Sequence, residues 1–177
     1  MFKQPAWTRI IPPANILALA RLGPLGRLPA PGTWGSAAGA LFFAACFRGF
    51  HPPWTSLSIF ESLLVCAVTG YFAVGICGAA ETILAKRDPG EINLDEFVAM
   101  PLCFLGWQWI VGPGFLAFLG LLLAGFLLFR FYDIRKPLVI NTLQELPGGW
   151  GIVIDDTAAA LATCATLHLA HALWRLV

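Results

Sequence analysis

Apolar positions in this chain gather into long runs free of charge, at residues 28–47, 62–80, 97–129 and 157–174, with short polar stretches between them. A hydrocarbon core about 30 Å thick needs ~20 helical residues to cross it, so runs of this length predict membrane-spanning helices. The run 97–129 is too long for one upright helix, and Gly112-Pro113-Gly114 divides it. The predicted spans are therefore 36–50, 57–80, 95–111, 115–133 and 152–175, the first of them short or re-entrant. A turn at His51-Pro52-Pro53 and loops 81–94 and 134–150 connect them. Ahead of the spans, Ala14 to Leu22 reads as a short surface helix, and Gly23 to Gly35 is too rich in Gly and Pro to be regular. The expected fold is all-α: a polytopic membrane helical bundle forming one domain over 1–177, with an interfacial segment at 1–34 and the bundle at about 36–175.

Composition agrees. Of 177 residues, 58% are apolar and the net charge is +1, which excludes an ordinary soluble domain and a basic nucleic-acid-binding footprint. The N-terminus is no secretory signal, because Arg9, Pro12-Pro13 and Arg21 interrupt it. Cys46, Cys66, Cys77, Cys103 and Cys164 lie in or beside apolar runs without ligand spacing and read as free thiols. With the N-terminus cytoplasmic, five spans place Lys3, Arg9, Arg21, Arg27, Lys86, Arg87, Arg130, Arg135 and Lys136 inside and leave only Arg48 and Arg175 outside. That asymmetry is the positive-inside pattern.

The same threading puts the acids on one side. Asp95-Glu96 would open the third span, Asp133 would end the fourth, and Asp155-Asp156 would open the fifth. Carboxylates in a first helical turn can simply meet the positive end of the helix dipole, but Asp133 sits where that dipole disfavours an anion. One divalent-metal site at the membrane surface accounts for all three clusters. Its ligands are all oxygen, which suits Mg²⁺. Arg130 and Lys136 are natural phosphate partners, and Gly148-Gly149 precedes a helix start that could cradle phosphate. His168 and His171 lie about 20 Å along the last span from Asp155 and are excluded from the site. Glu61 reads as a structural, partner-bonded acid.

Four stretches carry a resemblance to a known family. They are Pro31-Gly32-Thr33-Trp34-Gly35-Ser36, Asp88 through Phe97, Phe129 through Pro137, and Gly148 through Asp156. In this order they closely resemble the phosphatidylglycerophosphatase A family of bacterial membrane lipid phosphatases. The resemblance implies a Mg²⁺-dependent phosphomonoesterase of the bacterial cytoplasmic membrane, acting on phosphatidylglycerophosphate with its active site facing the cytoplasm. By matched position it implies Asp95, Glu96, Asp133, Asp155 and Asp156 as catalytic candidates, the same five with Asp88 as metal candidates, and Arg130, Lys136, Thr33, Ser36 and Gly149 as substrate contacts. The chain departs from the family at Ala99, Ala160 and Val139, all apolar positions, and retains every acid. No feature calls for an obligate protein partner.

The competing reading is a small cation transporter or ion-pathway subunit, because acids within a membrane also mark ion paths. Against it, the acids share one layer and do not file across the bilayer. A purely structural membrane protein is the third reading.

Overall fold

A computed structural model describes residues 5–50, 57–112, 114–137 and 140–176, with side chains undescribed at 47–50 and 57–58. Among these residues eight α-helices follow one another: α1 (Pro13–Ala20), α2 (Pro31–Phe50), α3 (Leu57–Leu84), α4 (Leu94–Ala99), α5 (Trp107–Ile110), α6 (Phe115–Arg135), α7 (Ile140–Leu143) and α8 (Gly149–Trp174). Short 3₁₀ turns add Ala6–Ile10, Leu25–Arg27 and Met100–Phe104, and no strand occurs among the described residues. Within these residues three helices are long and apolar enough to cross a membrane: Ile59–Leu84, Phe115–Arg135 and Gly149–Trp174. Their outward positions, such as Phe60, Leu64 and Val68 on α3 and Leu116, Leu123 and Leu127 on α6, stay exposed and apolar, as lipid-facing surfaces should.

The predicted third span is not a helix. Six residues of α4 give way to a 3₁₀ turn holding Pro101, and Gly106 then adopts a left-handed φ of 68° before α5. Proline lacks the N–H that would continue the ladder, and a left-handed residue reverses the helical sense. Irregular backbone survives at membrane depth only where protein covers it. Here Met100, Cys103 and Phe104 are buried, and the Leu105 carbonyl accepts hydrogen bonds from His168 Nε2 (2.8 Å) and Cys164 Sγ (3.6 Å) on α8. Phe43 of α2 stacks on Phe104 at 4.5 Å between ring centroids, closing this core.

Three boundaries also differ from expectation. Pro31 begins α2, so 31–35 is helical where irregular chain was predicted; proline is well suited to a first helical position. Helix α3 runs on to Leu84, four residues past the predicted end at Ala80. Helix α8 starts at Gly149, which puts Asp155 and Asp156 beyond its first turn, so the dipole argument does not apply to them. The predicted turn at His51-Pro52-Pro53, and Lys3, Pro113 and Val139, lie outside the described residues. All five cysteines are free; Cys66, Cys77 and Cys103 are buried, Cys46 and Cys164 half-buried.

Helix α8 is the central element, packed against α3 on one side and α6 on the other. Its start is set by Gly149, where a β-carbon would lie 1.9 Å from the Val74 carbonyl oxygen of α3. Backbone cannot move out of the way cheaply. Gly149→Val is therefore expected to destabilise the fold by about 3 kcal/mol or more, at the upper end for overpacking, read as a lower unfolding temperature in detergent. An unfolding temperature equal to that of the parent chain would show that the α3–α8 contact does not set the position of α8.

Candidate active site

Five chain segments run alternately toward and away from one end of the bundle, and the site takes that end from each. The first two turns of α2 bring Gly32 and Ser36, the stretch after α3 brings Asp88, and the first turn of α4 brings Asp95 and Glu96. The last turns of α6 bring Arg130 and Asp133, Lys136 follows directly, and α8 brings Asp155 and Asp156. All six acids line one cavity of about 150 Å³ together with Lys136, Gly90, Ile92 and Ile152.

Two cations are already engaged there. Arg130 pairs with Asp133 three residues on, which is neighbour spacing on a helix. The same Arg130 nitrogen lies 3.6 Å from Glu96 Oε1 and 3.5 Å from Ser36 Oγ. Lys136 closes α6 in a left-handed conformation, its N–H donating to the Tyr132 carbonyl at 2.8 Å, and its ammonium pairs with Asp155. Burial by itself would lower the Lys136 pKa, but Asp155, Asp156 and Asp133 more than offset it, and the net shift is upward.

Of the other four carboxylates, Asp88 is exposed at the rim, and the three buried ones have no cation of their own; Glu96 shares Arg130 at the longer distance. Asp95, Glu96 and Asp156 are buried and can each offer an oxygen within 4.8 Å of the others. Asp95 Oδ1 and Glu96 Oε2 are buried without a hydrogen-bond partner. Unpaired anionic oxygens in a dry site are costly, so the arrangement calls for a cation. An all-oxygen donor set of this kind fits Mg²⁺, with Ca²⁺ or Mn²⁺ as chemical neighbours. Burial raises Asp95 from 3.8 to about 7; a hydrogen bond with Glu96 opposes the rise and the charge of Asp88 adds to it. Burial also carries Glu96 well above the ordinary carboxylate range, reinforced by the charge of Asp95.

Every predicted acid is thus in the cavity, and so is Lys136, with Arg130 bonded to its wall. The other predicted contacts stand elsewhere. Ser36 is fully buried and donates to the Gly32 carbonyl at 2.7 Å, so it touches Arg130 rather than open space. Thr33 is half-buried and does not line the cavity, and the position of Gly149 is accounted for by its contact with α3. His168, bonded to Leu105, lies far along α8 as expected.

Several contributors were missed. A β-carbon on Gly32 would lie 2.0 Å from Glu96 Oε1, so the α2 start must be glycine for Glu96 to sit where it does. Asn93, fully buried, donates from Nδ2 to the Pro31 carbonyl (3.2 Å) and from its N–H to the Ala20 carbonyl (3.0 Å). It ties α4 to α1 and α2. A polar residue enclosed between Ile92 and Leu94, just before the Asp-Glu pair, was the available signal. A second cavity, of about 410 Å³, shares Asp88 and Ile152 with the first and is lined by Glu81, Arg87, Gln144 and Glu145.

Comparison with known proteins gives the chain a family and several relatives. The family described as Phosphatidylglycerophosphatase A matches residues 18–171. A Haemophilus influenzae protein named Phosphatidylglycerophosphatase A is 34% identical over 139 residues, covering 75% of this chain and 74% of its own. An Escherichia coli protein of the same name is 29% identical over 152 residues, covering 82% and 77%. A Bacteroides thetaiotaomicron protein, named provisionally as a phosphatidylinositol-3-phosphatase, is 28% identical over 148 residues, covering 80% and 84%. No solved structure matches the chain.

The raised acid pKa values have a stability consequence. The folded state holds the Asp95 proton up to about pH 7, whereas the unfolded chain releases it near 3.8. Acid therefore favours the folded state, and stability falls as pH rises between those values. The unfolding temperature of chelator-treated protein is expected to drop from pH 5 to pH 8, and Mg²⁺ should restore it more at pH 8 than at pH 5. Asp95→Asn should flatten that slope; an unchanged slope would show that this carboxyl is not buried as described.

Proposed function

The chain belongs to the phosphatidylglycerophosphatase A family, and on that premise we propose that it hydrolyses the terminal phosphate monoester of phosphatidylglycerophosphate, with Mg²⁺ as cofactor, to give phosphatidylglycerol and inorganic phosphate. One observation carries the chemistry: three buried carboxylates without a cation of their own stand beside two ready-made cation–carboxylate pairs at a single cavity.

Asp95, Glu96 and Asp156 are the residues that would hold the metal, with Asp88 at the rim. When bound, Mg²⁺ supplies positive charge against the phosphate oxygens, in the ground state and as charge shifts during transfer. Arg130 and Lys136 exchange their carboxylate partners for the incoming phosphate, Arg130 through its planar fork and Lys136 as a point charge. Asp133 and Asp155 are thereby released beside the phosphorus. One of them orients a water and takes its proton as the water oxygen bonds to phosphorus. The bond from phosphorus to the glycerol oxygen breaks. That oxygen leaves as a hydroxyl by taking a proton from solvent, to which the carboxyl returns the one it took from the attacking water. Catalysis then rests mainly on positioning and electrostatics. Ser36 and Gly32 hold Arg130 and Glu96 in register for this.

In this reading the chain crosses the bacterial cytoplasmic membrane five times with its N-terminus inside. Helices α2, α3, α6 and α8 make four crossings and the broken segment 98–110 makes the fifth. The distribution of Arg and Lys supports that orientation and favours a cytoplasmic face for the acids. Acyl chains remain in the bilayer against the apolar outer faces, and only the headgroup enters the site. The ion-pathway alternative finds no support, since the acids form one layer at one end of the bundle and the family is one of phosphatases.

Purified protein in detergent micelles is expected to release phosphate from phosphatidylglycerophosphate with Mg²⁺ and to stop with EDTA. Asp133→Asn should lower kcat by about 100-fold or more, the scale of losing one preorganised charged group, with its unfolding temperature retained. Full activity in EDTA would remove Mg²⁺ from the account; no release from folded protein under either condition would overturn the phosphatase reading.

A further inference from the structure

We propose that Arg27, seated beside the Arg21–Glu91 ion pair, receives the phosphodiester through which the substrate's headgroup joins its diacylglycerol. The proposal rests on the phosphatase reading above and deepens it, by naming a residue that recognises the lipid's second phosphate. That substrate carries a phosphate at each end of a single glycerol, whose middle carbon bears the only free hydroxyl. With the terminal monoester in the acid cavity, the diester lies one glycerol away, on the bilayer side.

The stretch 20–32 runs along the wall of that cavity. The Ala20 carbonyl accepts the Asn93 N–H at 3.0 Å, and the Arg21 guanidinium pairs with Glu91 at 2.8 Å. Glu91 stands between Gly90 and Ile92, both of which line the acid cavity. A β-carbon on Gly26 would lie 2.3 Å from the Glu91 carbonyl oxygen, and one on Gly32 would lie 2.0 Å from Glu96 Oε1. Arg27 thus sits between two close backbone contacts with the site, and its own side chain is exposed.

Charge selects the ligand. Arg21 and Glu91 cancel each other, whereas Arg27 has no ion-pair partner among the described residues. The first acid in the sequence is Glu61, so none stands near Arg27 along the N-terminal segment. One unpaired guanidinium matches the single negative charge of a phosphodiester, and its planar fork suits two phosphate oxygens. Leu19, Leu28 and Trp34 flank the two arginines and are exposed. Exposed apolar and tryptophan side chains beside arginine mark the boundary between bilayer and water. A lipid phosphodiester occupies that same level, with its acyl chains below it.

The test compares phosphatidylglycerophosphate with phosphatidic acid, which carries a phosphate monoester directly on diacylglycerol and has no phosphodiester. Both are assayed in mixed micelles of an uncharged detergent, and kcat and KM are read for each lipid. Arg27→Gln is expected to raise the KM for phosphatidylglycerophosphate about fivefold, the scale of losing an exposed ion pair. Its kcat, and the KM for phosphatidic acid, should stay in place. Arg27→Lys should keep most of the parent's affinity, and Arg27→Glu should weaken it further than Arg27→Gln. Arg9→Gln removes an exposed cation that the length of α1, about 12 Å, separates from Arg21, and it should change neither KM. An unchanged KM for phosphatidylglycerophosphate in both Arg27→Gln and Arg27→Glu overturns the proposal. A rise of equal size for the two lipids, or the same rise in Arg9→Gln, overturns it as well. A parent enzyme that hydrolyses neither lipid overturns the phosphatase reading itself and this inference with it.

Discussion

Five carboxylates gathered where water is scarce, with two cations among them, form the constraint on which this fold depends. Desolvating a carboxylate costs several kcal/mol even after relaxation. The two cations form two close pairs, Arg130 with Asp133 and Lys136 with Asp155. What remains is a buried trio, two of whose oxygens have no partner. Proteins seldom keep such a group without a use for its charge, and buried perturbed acids cluster at functional sites for that reason. The bundle has to hold the trio together against its own repulsion until a cation or protons relieve it.

The architecture meets that demand by close backbone approach and covered irregular chain. Gly32 lets the start of α2 come against Glu96, and Gly149 lets α8 come against α3. Asn93 fastens the start of α4 to two other segments. Beyond the acids, the chain leaves helical geometry at Met100–Phe104 and is enclosed between α2, α6 and α8. An uninterrupted helix would have needed more residues to cover the same depth, because a 3₁₀ turn rises about 2.0 Å per residue against 1.5 Å. The departure from regularity lies buried in protein, where membrane physics allows it.

Much of this was legible in the sequence. Charge-free runs located α3, α6 and α8, because apolar length is what a bilayer selects. The acids were legible as one site, since alternating spans put Asp95-Glu96, Asp133 and Asp155-Asp156 at the same end. Other features were hidden for definite reasons. Hydropathy does not distinguish a helix from a buried irregular segment, so Pro101 and Gly106 were passed over inside an apolar window. Proline at Pro31 reads as a breaker although a first helical turn accepts it. The proposed division between metal-holding and phosphate-holding groups depends on which carboxylate each cation reaches, and for Lys136 that follows from the left-handed close of α6. Ser36 and Thr33 sit in a stretch that resembles the family, yet only Ser36 touches the site, through Arg130. The second cavity joins residues from 81–88 and 144–152, a long-range juxtaposition that local pattern does not carry.

The division of labour at the acid cavity is the central claim, and a Mg²⁺ titration of phosphate release tests it most directly. Two sets of conservative variants are compared: Asp95→Asn, Glu96→Gln and Asp156→Asn against Arg130→Lys and Lys136→Arg. The account predicts that the first set moves the Mg²⁺ concentration for half-maximal rate upward. The second set should raise the KM for the lipid while leaving that Mg²⁺ concentration in place. The reverse pattern, or one common shift in both sets, would contradict the assignment of the trio to the metal and the two cations to the phosphate.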